Sequence, residues 1–196
     1  MDDIVKQAIA KWPDVPACHG WLALDARGHW RMRDQRTQDL NLAGDKIAHV
    51  ALMGFIARNY DHDADGCWFF QNGQQRVYVN LEATPYICRS DAGRGFVLHT
   101  GLPMPHVDCA YMTEAGALIL RAGAIVAQLD DRDVACVLGQ IEQGGQAILD
   151  DALLAWLADP ADPLSLRLGG RPIALQALAS ADVARHFGFV RQPTPD

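Results

Sequence analysis

Alternating apolar and polar residues occur along the chain in pairs separated by a turn signal. In WLALDARGHWRMR they alternate on both sides of residues 25–28, where Asp and Gly mark a tight turn. The same arrangement surrounds Gly116 in YMTEAGALILR and the paired glycines of LSLRLGGRPIAL. Each of these three segments therefore predicts a β-hairpin.

Three other segments repeat apolar residues at helical spacing. Over residues 45–59 the apolar side chains cover most sides, with Asp45 as N-cap, so we predict a helix central to its half of the protein. We expect His49 on this helix to be a hydrogen-bonded core residue rather than a metal ligand. Residues 129–142 show a similar but weaker pattern, and residues 2–12 predict a short amphipathic helix.

A further hairpin is predicted in CWFFQNGQQRVYVNL. Asn72 and Gly73 tolerate the positive φ angles of a type I′ turn, and a two-residue turn determines how the flanking strands pair. The predicted cross-strand pairs are Gln71 with Gln74, Phe69 with Arg76, and Cys67 with Tyr78.

Side chains along these two strands alternate between two faces. The apolar face, predicted to be core, comprises Trp68, Phe70, Val77, Val79 and Leu81. The mixed face comprises Cys67, Phe69, Arg76, Tyr78, Asn80 and Glu82. We predict that the mixed face, joined by Arg89, recognises a ligand or partner, with Arg76 and Phe69 as a cation–π pair. The alternative is that this face packs on the other half of the protein or is solvated.

The order of hairpin and helix occurs in both halves of the chain. Gly116 matches Gly28, and residues 129–142 match residues 45–59. This predicts an α+β fold of two related β-hairpin-plus-helix halves, with antiparallel sheets packed on helices. The predicted halves are residues 1–92 and residues 93–196. The alternative is one mixed domain whose apparent repeat is coincidental.

Composition and charge narrow the function classes. The 17 basic and 24 acidic residues leave a net charge of −7 without a Lys/Arg run, so neither nucleic acid nor anionic membrane is an expected partner. MDDIVKQAIAKW lacks the basic and apolar parts of a secretory signal, and the most apolar segment, residues 115–129, is too short for a membrane span. We expect a cytoplasmic protein whose five dispersed cysteines are reduced.

The stretch DHDADG, residues 61–66, has the acidic residues and glycine that begin a calcium-binding EF-hand loop. The twelfth position of that loop needs a bidentate glutamate, but here it is Asn72. The segment CWFF that follows is strand-like, where an EF-hand has its second helix. We therefore interpret the stretch as a solvated acidic turn, with calcium binding as the alternative.

A second group of chemically active residues comprises His106, Asp108 and Cys109. A thiol beside an imidazole suits a nucleophile with its base, and with Cys18 and His19 the group could supply zinc ligands if the two loops meet. Neither a zinc-finger spacing nor a catalytic-cysteine signature surrounds these residues. No glycine-rich stretch completes a dinucleotide or phosphate-loop fingerprint, so no cofactor is predicted.

The order CHGWLALDARGHW, helix, GCWFFQNGQQRVYVNLEATPYI resembles the bacterial domain-of-unknown-function family numbered 1285, or a sister family of it. That family has a Cys-Gly hairpin ending in Gly-x-Trp, a helix, a polar turn, a second hairpin and a V-E-D-x-P-F stretch. Here the last stretch reads LEATPY, which departs from the pattern at its acidic position and has Tyr86 for phenylalanine. The resemblance covers residues 12–87 and continues more loosely to Glu142.

The resemblance implies an α+β fold with internal repeats and a regulatory or signal-transduction role, and it transfers no catalytic residue. Two function classes stay open. The first is a regulatory or interaction module that binds a small molecule or a protein. The second is a hydrolase-type or metal-dependent enzyme that uses His106, Asp108 and Cys109.

Overall fold

The computed structural model describes residues 1–11 and 15–195. The chain forms two compact units, of which unit 1 comprises residues 1–85 and 187–196 and unit 2 comprises residues 86–186. Each unit contains helices and strands, so the predicted α+β class is confirmed.

The C-terminal segment belongs to unit 1 because its backbone pairs there. The N–H of Leu81 donates to the carbonyl of Arg191 at 2.7 Å, and the N–H of Val190 donates to the carbonyl of Gly66 at 3.0 Å. These long-range bonds leave no local sequence pattern. The predicted boundary after residue 92 differs from this division, since it falls in the turn of a hairpin of unit 2.

Over its described residues, unit 1 is a six-stranded sheet with helices. Its elements are α1 (Asp3–Lys11), β1 (Cys18–Leu24), β2 (Trp30–Met32), α2 (Gln35–Asp39), β3 (Asp45–Lys46), α3 (Val50–Arg58), β4 (Tyr60–His62), β5 (Trp68–Asn72) and β6 (Gln75–Leu81). Trp12, the predicted last residue of the first helix, lies outside the described residues.

The strand order in unit 1 is β3-β2-β1-β6-β5-β4. Strands β1 and β6 run parallel, whereas the other neighbours run antiparallel. The predicted antiparallel pairing is therefore wrong for β1 with β6 and correct for the other neighbours, so the sheet is mixed. The long connection through α3 lets the chain return to β1 in the same direction, as a parallel pairing requires.

The helix predicted over residues 45–59 starts later than expected. Residue Asp45 lies in β3, which pairs with β2, and α3 begins at Val50. The ring of His49 caps this helix, because its Nδ1 accepts from the N–H of Leu52 at 3.2 Å. Because β3 pairs with β2, the first residues of the predicted helix are not helical.

Helix α3 lies at the surface of unit 1 rather than at its centre. Val50 is 77% exposed, and Ile56 is the buried residue of the helix. One side packs on β5, where the rings of Phe55 and Phe70 meet edge to face at 5.4 Å. His49 is exposed, so the expectation of a core histidine is wrong.

The hairpin of β5 and β6 turns one residue later than predicted. Gly73, with φ of 60°, and Gln74 connect the strands, and Asn72 pairs with Gln75. Phe69 consequently faces Tyr78 rather than Arg76, and the remaining observed pairs are Gln71 with Arg76 and Phe70 with Val77. A shift of two residues leaves every side chain on its predicted face. The predicted apolar face is buried at Trp68, Phe70, Val79 and Leu81 and half-buried at Val77.

Unit 2 is built on a nine-stranded mixed sheet in the order β13-β12-β14-β15-β9-β10-β11-β7-β8. Its elements are β7 (Tyr86–Asp91), β8 (Gly95–Leu98), β9 (Cys109–Met112), β10 (Leu118–Ala122), β11 (Ile125–Leu129), α4 (Asp131–Leu138), β12 (Ile141–Gln143), β13 (Gln146–Ala147), α5 (Asp150–Ala158), β14 (Leu164–Leu168), β15 (Arg171–Ala177), a 3-10 turn (Ser180–Asp182) and α6 (Val183–Phe187). Strand β15 runs parallel to β9, and β11 runs parallel to β7.

The helix predicted over residues 129–142 is shorter in the structure, where α4 covers Asp131–Leu138. Its N-cap is Asp130, whose carboxylate accepts from the N–H of Arg132 at 3.1 Å. The core of unit 2 comprises fully buried apolar side chains that include Leu118, Leu120 and Leu166. None of the helices in the described ranges combines the length and apolar character that crossing a membrane requires.

The same four-residue turn forms at residues 25–28, 63–66 and 113–116. In each turn the glycine N–H donates to the carbonyl of the first residue, at 3.0, 3.2 and 2.9 Å, and the glycine has a φ of 78° or 79°. The side chain of the first residue, Asp, Asp or Thr, accepts from the N–H four positions later. The stretch DHDADG therefore ends in the turn that also closes two predicted hairpins.

Gly66→Ala should destabilise the protein more than Gly116→Ala. Both glycines have a φ of 79°, so each alanine costs about 1–2 kcal/mol for its left-handed backbone. A Cβ on Gly66 would lie 2.2 Å from the carbonyl oxygen of Gly188, whereas nothing lies within 4 Å of one on Gly116. Overpacking adds about 1–3 kcal/mol at Gly66. Chemical denaturation measures the two losses, and equal losses would contradict the close approach.

Acid should destabilise unit 2 through His99. Burial lowers the pKa of His99 to about 3, and its Nδ1 accepts from the N–H of Ile87 at 3.2 Å, a bond that a doubly protonated ring cannot accept. The unfolded chain takes up this proton first, near pH 6.5. The stability that neutral His99 contributes is thus fully present above about pH 6.5. It falls towards pH 3, because the unfolding constant rises by about tenfold per pH unit.

His99→Asn should remove this pH dependence. Tyr86→Leu is the matched control, because its ring centroid lies 5.8 Å from that of His99 and its loss disturbs the same contact while the imidazole stays. Urea denaturation between about pH 7 and pH 4.5 measures the slope. The prediction is wrong if the asparagine variant keeps the slope of the wild-type protein.

Candidate ligand-binding site

A cavity of about 280 Å³ lies beside the first hairpin of unit 1. Strands β1, β2 and β6 and the loop after α2 contribute to its walls. Its polar lining residues are Asp25, Arg31, Arg33, Asn41, Asn80, Glu82 and Gln192. This polar cavity therefore combines carboxylate, guanidinium and amide groups, which can donate and accept hydrogen bonds to a small molecule.

Ala23 makes room for the polar cavity. It pairs with Arg31 across the antiparallel neighbour and with Asn80 across the parallel neighbour, so the three side chains share one face of the sheet. The methyl group in the middle is the smallest of the three. The space above it becomes part of the cavity, which Ala23 also lines.

Asp25 anchors the end of β1. Its Oδ1 accepts from the N–H groups of Arg27 and His29 at 3.0 and 2.8 Å, and its Oδ2 accepts from Arg31 Nε at 2.9 Å. Burial works to raise the pKa of Asp25, yet the bonds from His29 and Arg31 hold that pKa below its ordinary value. The carboxylate is therefore ionised at neutral pH and forms an ion pair with Arg31.

Arg33, two residues after Arg31, is 7% exposed and lines the same cavity. Its Nε donates to the carbonyl of Leu42 at 3.1 Å, and its Nη2 lies 3.4 Å from Oδ1 of Asn41. Within the described chain no carboxylate pairs with this guanidinium. Arg33 is thus a buried cation held by neutral acceptors.

Asn41 carries the loop over the polar cavity in an unusual conformation. Its φ is 48°, the left-handed region in which asparagine is more tolerated than most residues. Its side chain accepts from Arg33, and the following carbonyl, that of Leu42, accepts from the same guanidinium. Left-handed backbone at a non-glycine residue is therefore used where the loop meets the buried arginine.

The predicted mixed face of β5 and β6 continues away from this cavity. Cζ of Arg76 lies 4.5 Å from the ring centroid of Phe69, so the predicted cation–π contact is present. The ring of Tyr78 packs edge to face on that of Phe69, with the two ring centroids 6.0 Å apart. Phe69 is 3% exposed, so these polar neighbours cover an aromatic ring rather than leave it open to a ligand.

Tyr78 ties the mixed face to the turn of DHDADG. Its hydroxyl donates to Oδ2 of Asp63 at 2.9 Å, and the ring of His19 stacks on Tyr78 with centroids 4.5 Å apart. Burial and the bond to Asp63 raise the pKa of Tyr78, so it stays protonated as a donor. The carboxylate of Asp63 also accepts from the N–H groups of Asp65 and Cys67. Both oxygens of this carboxylate therefore accept hydrogen bonds, one from the backbone of the turn and the other from Tyr78.

The predicted binding residues fall into three places. Asn80 and Glu82 line the polar cavity, whereas Phe69, Arg76 and Tyr78 form the aromatic stack. Arg89 belongs to unit 2, where it is exposed on β7. It lines a charged cavity of about 400 Å³ whose other charged residues are Asp91, Arg94, Asp130, Arg132 and Asp133.

The group proposed for enzymatic chemistry is not assembled as a catalytic set. His106 is exposed, and Asp108 accepts from the N–H of Gly123 at 2.7 Å. Cys109 is 7% exposed, and its sulfur lies 3.3 Å from Nε2 of Gln176. Among the described residues, no hydrogen bond joins His106, Asp108 and Cys109 to one another.

The other pair considered for a metal site, Cys18 and His19, lies on β1 of unit 1. His19 stacks on Tyr78, and Cys18 is half-buried at the edge of an apolar groove. Within residues 1–11 and 15–195, no three His, Cys, Asp or Glu side chains are grouped so that they could hold a metal ion.

Sequence reasoning missed Asp25, Arg31 and Arg33. The signal was present, because these residues alternate in DARGHWRMR and alternation puts Arg31 and Arg33 on one face of a strand. The sequence pattern accounts for Asp25 as a turn residue alone. The burial of Arg33 depends on the loop that ends near Gly44, whose path does not follow from periodicity.

Comparison with known proteins shows the family. A family model described as "Protein of unknown function (DUF2946)" matches residues 1–194. The chain belongs to this family. A search of curated proteins found no match.

One solved structure is similar to the structure of this DUF2946 family member. It is a DUF1285 family protein from Silicibacter pomeroyi DSS-3, with a TM-score of 0.45, 14% sequence identity and coverage of 79% of each chain. The membership of a family of unknown function agrees with the resemblance to the family numbered 1285 or a sister family. The structural similarity says nothing of function.

Asp25→Asn should destabilise unit 1. The amide keeps one oxygen acceptor but cannot pair with Arg31, which costs about 1–3 kcal/mol. Asp65→Asn is the control, because its exposed side chain makes no hydrogen bond among the described residues, and it should change stability by less than about 0.5 kcal/mol. Urea denaturation of both variants measures the difference, and similar values would rule out the anchoring role of Asp25.

Proposed function

We propose that this protein is a regulatory or interaction module that acts by binding a small molecule in the polar cavity of unit 1. The observation that carries this proposal is the convergence of charged and amide side chains on one cavity of about 280 Å³. Several of them are fixed by bonds to the backbone, as Asp25 and Arg33 are. Polar groups held in place around a small space are the arrangement that gives ligand specificity.

We also propose that the two units are related copies of one β-hairpin-plus-helix arrangement. The order β3-β2-β1-β6-β5-β4 in unit 1 corresponds to β11-β10-β9-β15-β14-β12 in unit 2. In each case the chain passes through a helix, α3 or α4, between the two outer strands. The pairing of β1 with β6 and of β9 with β15 is parallel in both units. Chance repetition of a hairpin does not predict this shared order.

The correspondence supports a role for the polar cavity. Ala23 lies two residues before its turn, and the matching position in unit 2 is Tyr111, which pairs with Ile119 and Gln176. Tyr111 is 4% exposed, so a large ring occupies the place that Ala23 leaves open. A copy of the arrangement therefore tolerates a filled position, and the space in unit 1 is not a requirement of the fold.

A ligand search on the cavity tests the proposal. The expected result is that members of a soluble fragment library shift the amide signals of cavity residues in two-dimensional NMR spectra. Ala23→Leu should abolish these shifts by filling the space, and Ala43→Phe, on another wall, should do the same. Ala51→Leu, at an exposed position of α3, is the matched control and should retain them.

The spectra also report whether each variant is folded. Fragments that shift amides elsewhere, or that bind a folded Ala23→Leu or Ala43→Phe variant as they bind the wild-type protein, would overturn the assignment of the cavity.

A further inference from the structure

The charge balance of the polar cavity is incomplete at Arg33. Arginine stays charged at every pH that proteins tolerate, and this one is 7% exposed. Its described bonds go to the carbonyl of Leu42 and the amide oxygen of Asn41, both of which are neutral. Burying a cation without an anionic partner is costly, so native proteins pair such groups.

Asp25, one of two carboxylates that line the cavity, is not available to Arg33. Asp25 Oδ1 accepts two backbone N–H groups, and its Oδ2 lies 2.8 Å from Nη2 of Arg31 and 3.1 Å from the ring of His29. Both oxygens are therefore occupied. A second anion would have to come from elsewhere to compensate Arg33.

Glu82 is the other carboxylate that lines the cavity. It is exposed, and its Oε2 accepts from the N–H of Ala26 at 3.0 Å. No ion pair joins Glu82 to Arg33 in the described chain. Water and salt screen an exposed charge strongly, so Glu82 opposes an incoming anion less than Arg33 attracts it.

The remaining donors around the cavity also lack partners. Nη1 of Arg33 and the side-chain amides of Asn80 and Gln192 make no hydrogen bond with the described residues. A guanidinium offers five N–H groups in a planar fork that matches the two oxygens of a carboxylate or phosphate. Amide groups can donate to the oxygens that the guanidinium does not reach.

We infer that the ligand of the polar cavity carries an anionic group, a carboxylate or a phosphate, and that Arg33 binds this group through its unpaired N–H donors. The inference rests on the proposed function, because it names the class of the ligand in the same cavity. Arg31 contributes by pairing with Asp25, which leaves Arg33 without a carboxylate partner in the described chain.

Titration with simple anions tests the inference. The probes are sodium phosphate and, separately, sodium acetate, added at constant ionic strength to isotope-labelled protein and followed by NMR. At least one of them should shift the amide signals of Arg33, Asn41 and Asn80, and the anion that binds more tightly identifies phosphate or carboxylate as the group recognised.

Arg33→Met should weaken this binding by about tenfold or more, since it removes charge-assisted hydrogen bonds. Arg33→Lys keeps the charge without the planar fork and should bind with intermediate affinity, which tests the inference if the methionine variant does not fold. Arg36→Met removes an exposed arginine of the neighbouring helix α2 and should leave the affinity unchanged.

The outcomes separate the two proposals. If neutral fragments shift the cavity signals while neither anion does, the anion inference is wrong and the binding function stands. The same conclusion follows if a folded Arg33→Met variant binds anions as tightly as the wild-type protein does. If neither fragments nor anions shift the cavity signals, both proposals fail.

Discussion

The carboxylate of Asp25 connects the backbone of unit 1 to the chemistry of its cavity. One oxygen accepts the N–H groups that close the turn after β1, and the other accepts the guanidinium of Arg31 from β2. The hairpin and one wall of the cavity therefore depend on the same group. Because Arg31 takes up that carboxylate, Arg33 on the same side of the chain has neutral acceptors alone. The ion pair of Asp25 and Arg31 thus leaves Arg33 as the lining arginine without a carboxylate partner in the described chain.

The turn that Asp25 begins also forms at Asp63 and Thr113, where the first side chain makes different contacts. Thr113 supplies the same bond to the backbone from a hydroxyl and has no charge to offer a neighbour. Asp63 closes the turn of DHDADG and uses its second oxygen for Tyr78. The match to an EF-hand loop at Asp63 and Gly66 is thereby explained by backbone geometry, since an Asp-first turn needs a residue such as Gly66 at its end.

Local patterns predicted the parts of the fold that depend on local structure. The hairpins follow from alternation, and the two faces of β5 and β6 came out correctly although the turn is displaced, because a shift of two residues preserves alternation. The start of α3 could not be predicted from local periodicity, since Asp45 pairs with Met32 of β2. The return of the C-terminal segment to Gly66 is long-range in the same way. In the candidate site, alternation along β6 predicts the shared face of Asn80 and Glu82. The burial of Arg33 could not be predicted, because it depends on the path of the loop that contains Leu42.

The proposed repeat gives Ala23 and Tyr111 matching positions, one open and one filled, without a change of fold. The strands that the proposed repeat matches pair in parallel in both units, β1 with β6 and β9 with β15, so the backbone alone does not distinguish an open position from a filled one. A ring at Tyr111 is 4% exposed, whereas a methyl group at Ala23 leaves a polar cavity. An open position lined by a buried cation costs stability that a filled position would retain. Features that lower stability are typical of functional sites. In unit 1, three such features border one cavity: the small side chain of Ala23, the left-handed backbone of Asn41 and the guanidinium of Arg33, which has no carboxylate partner in the described chain.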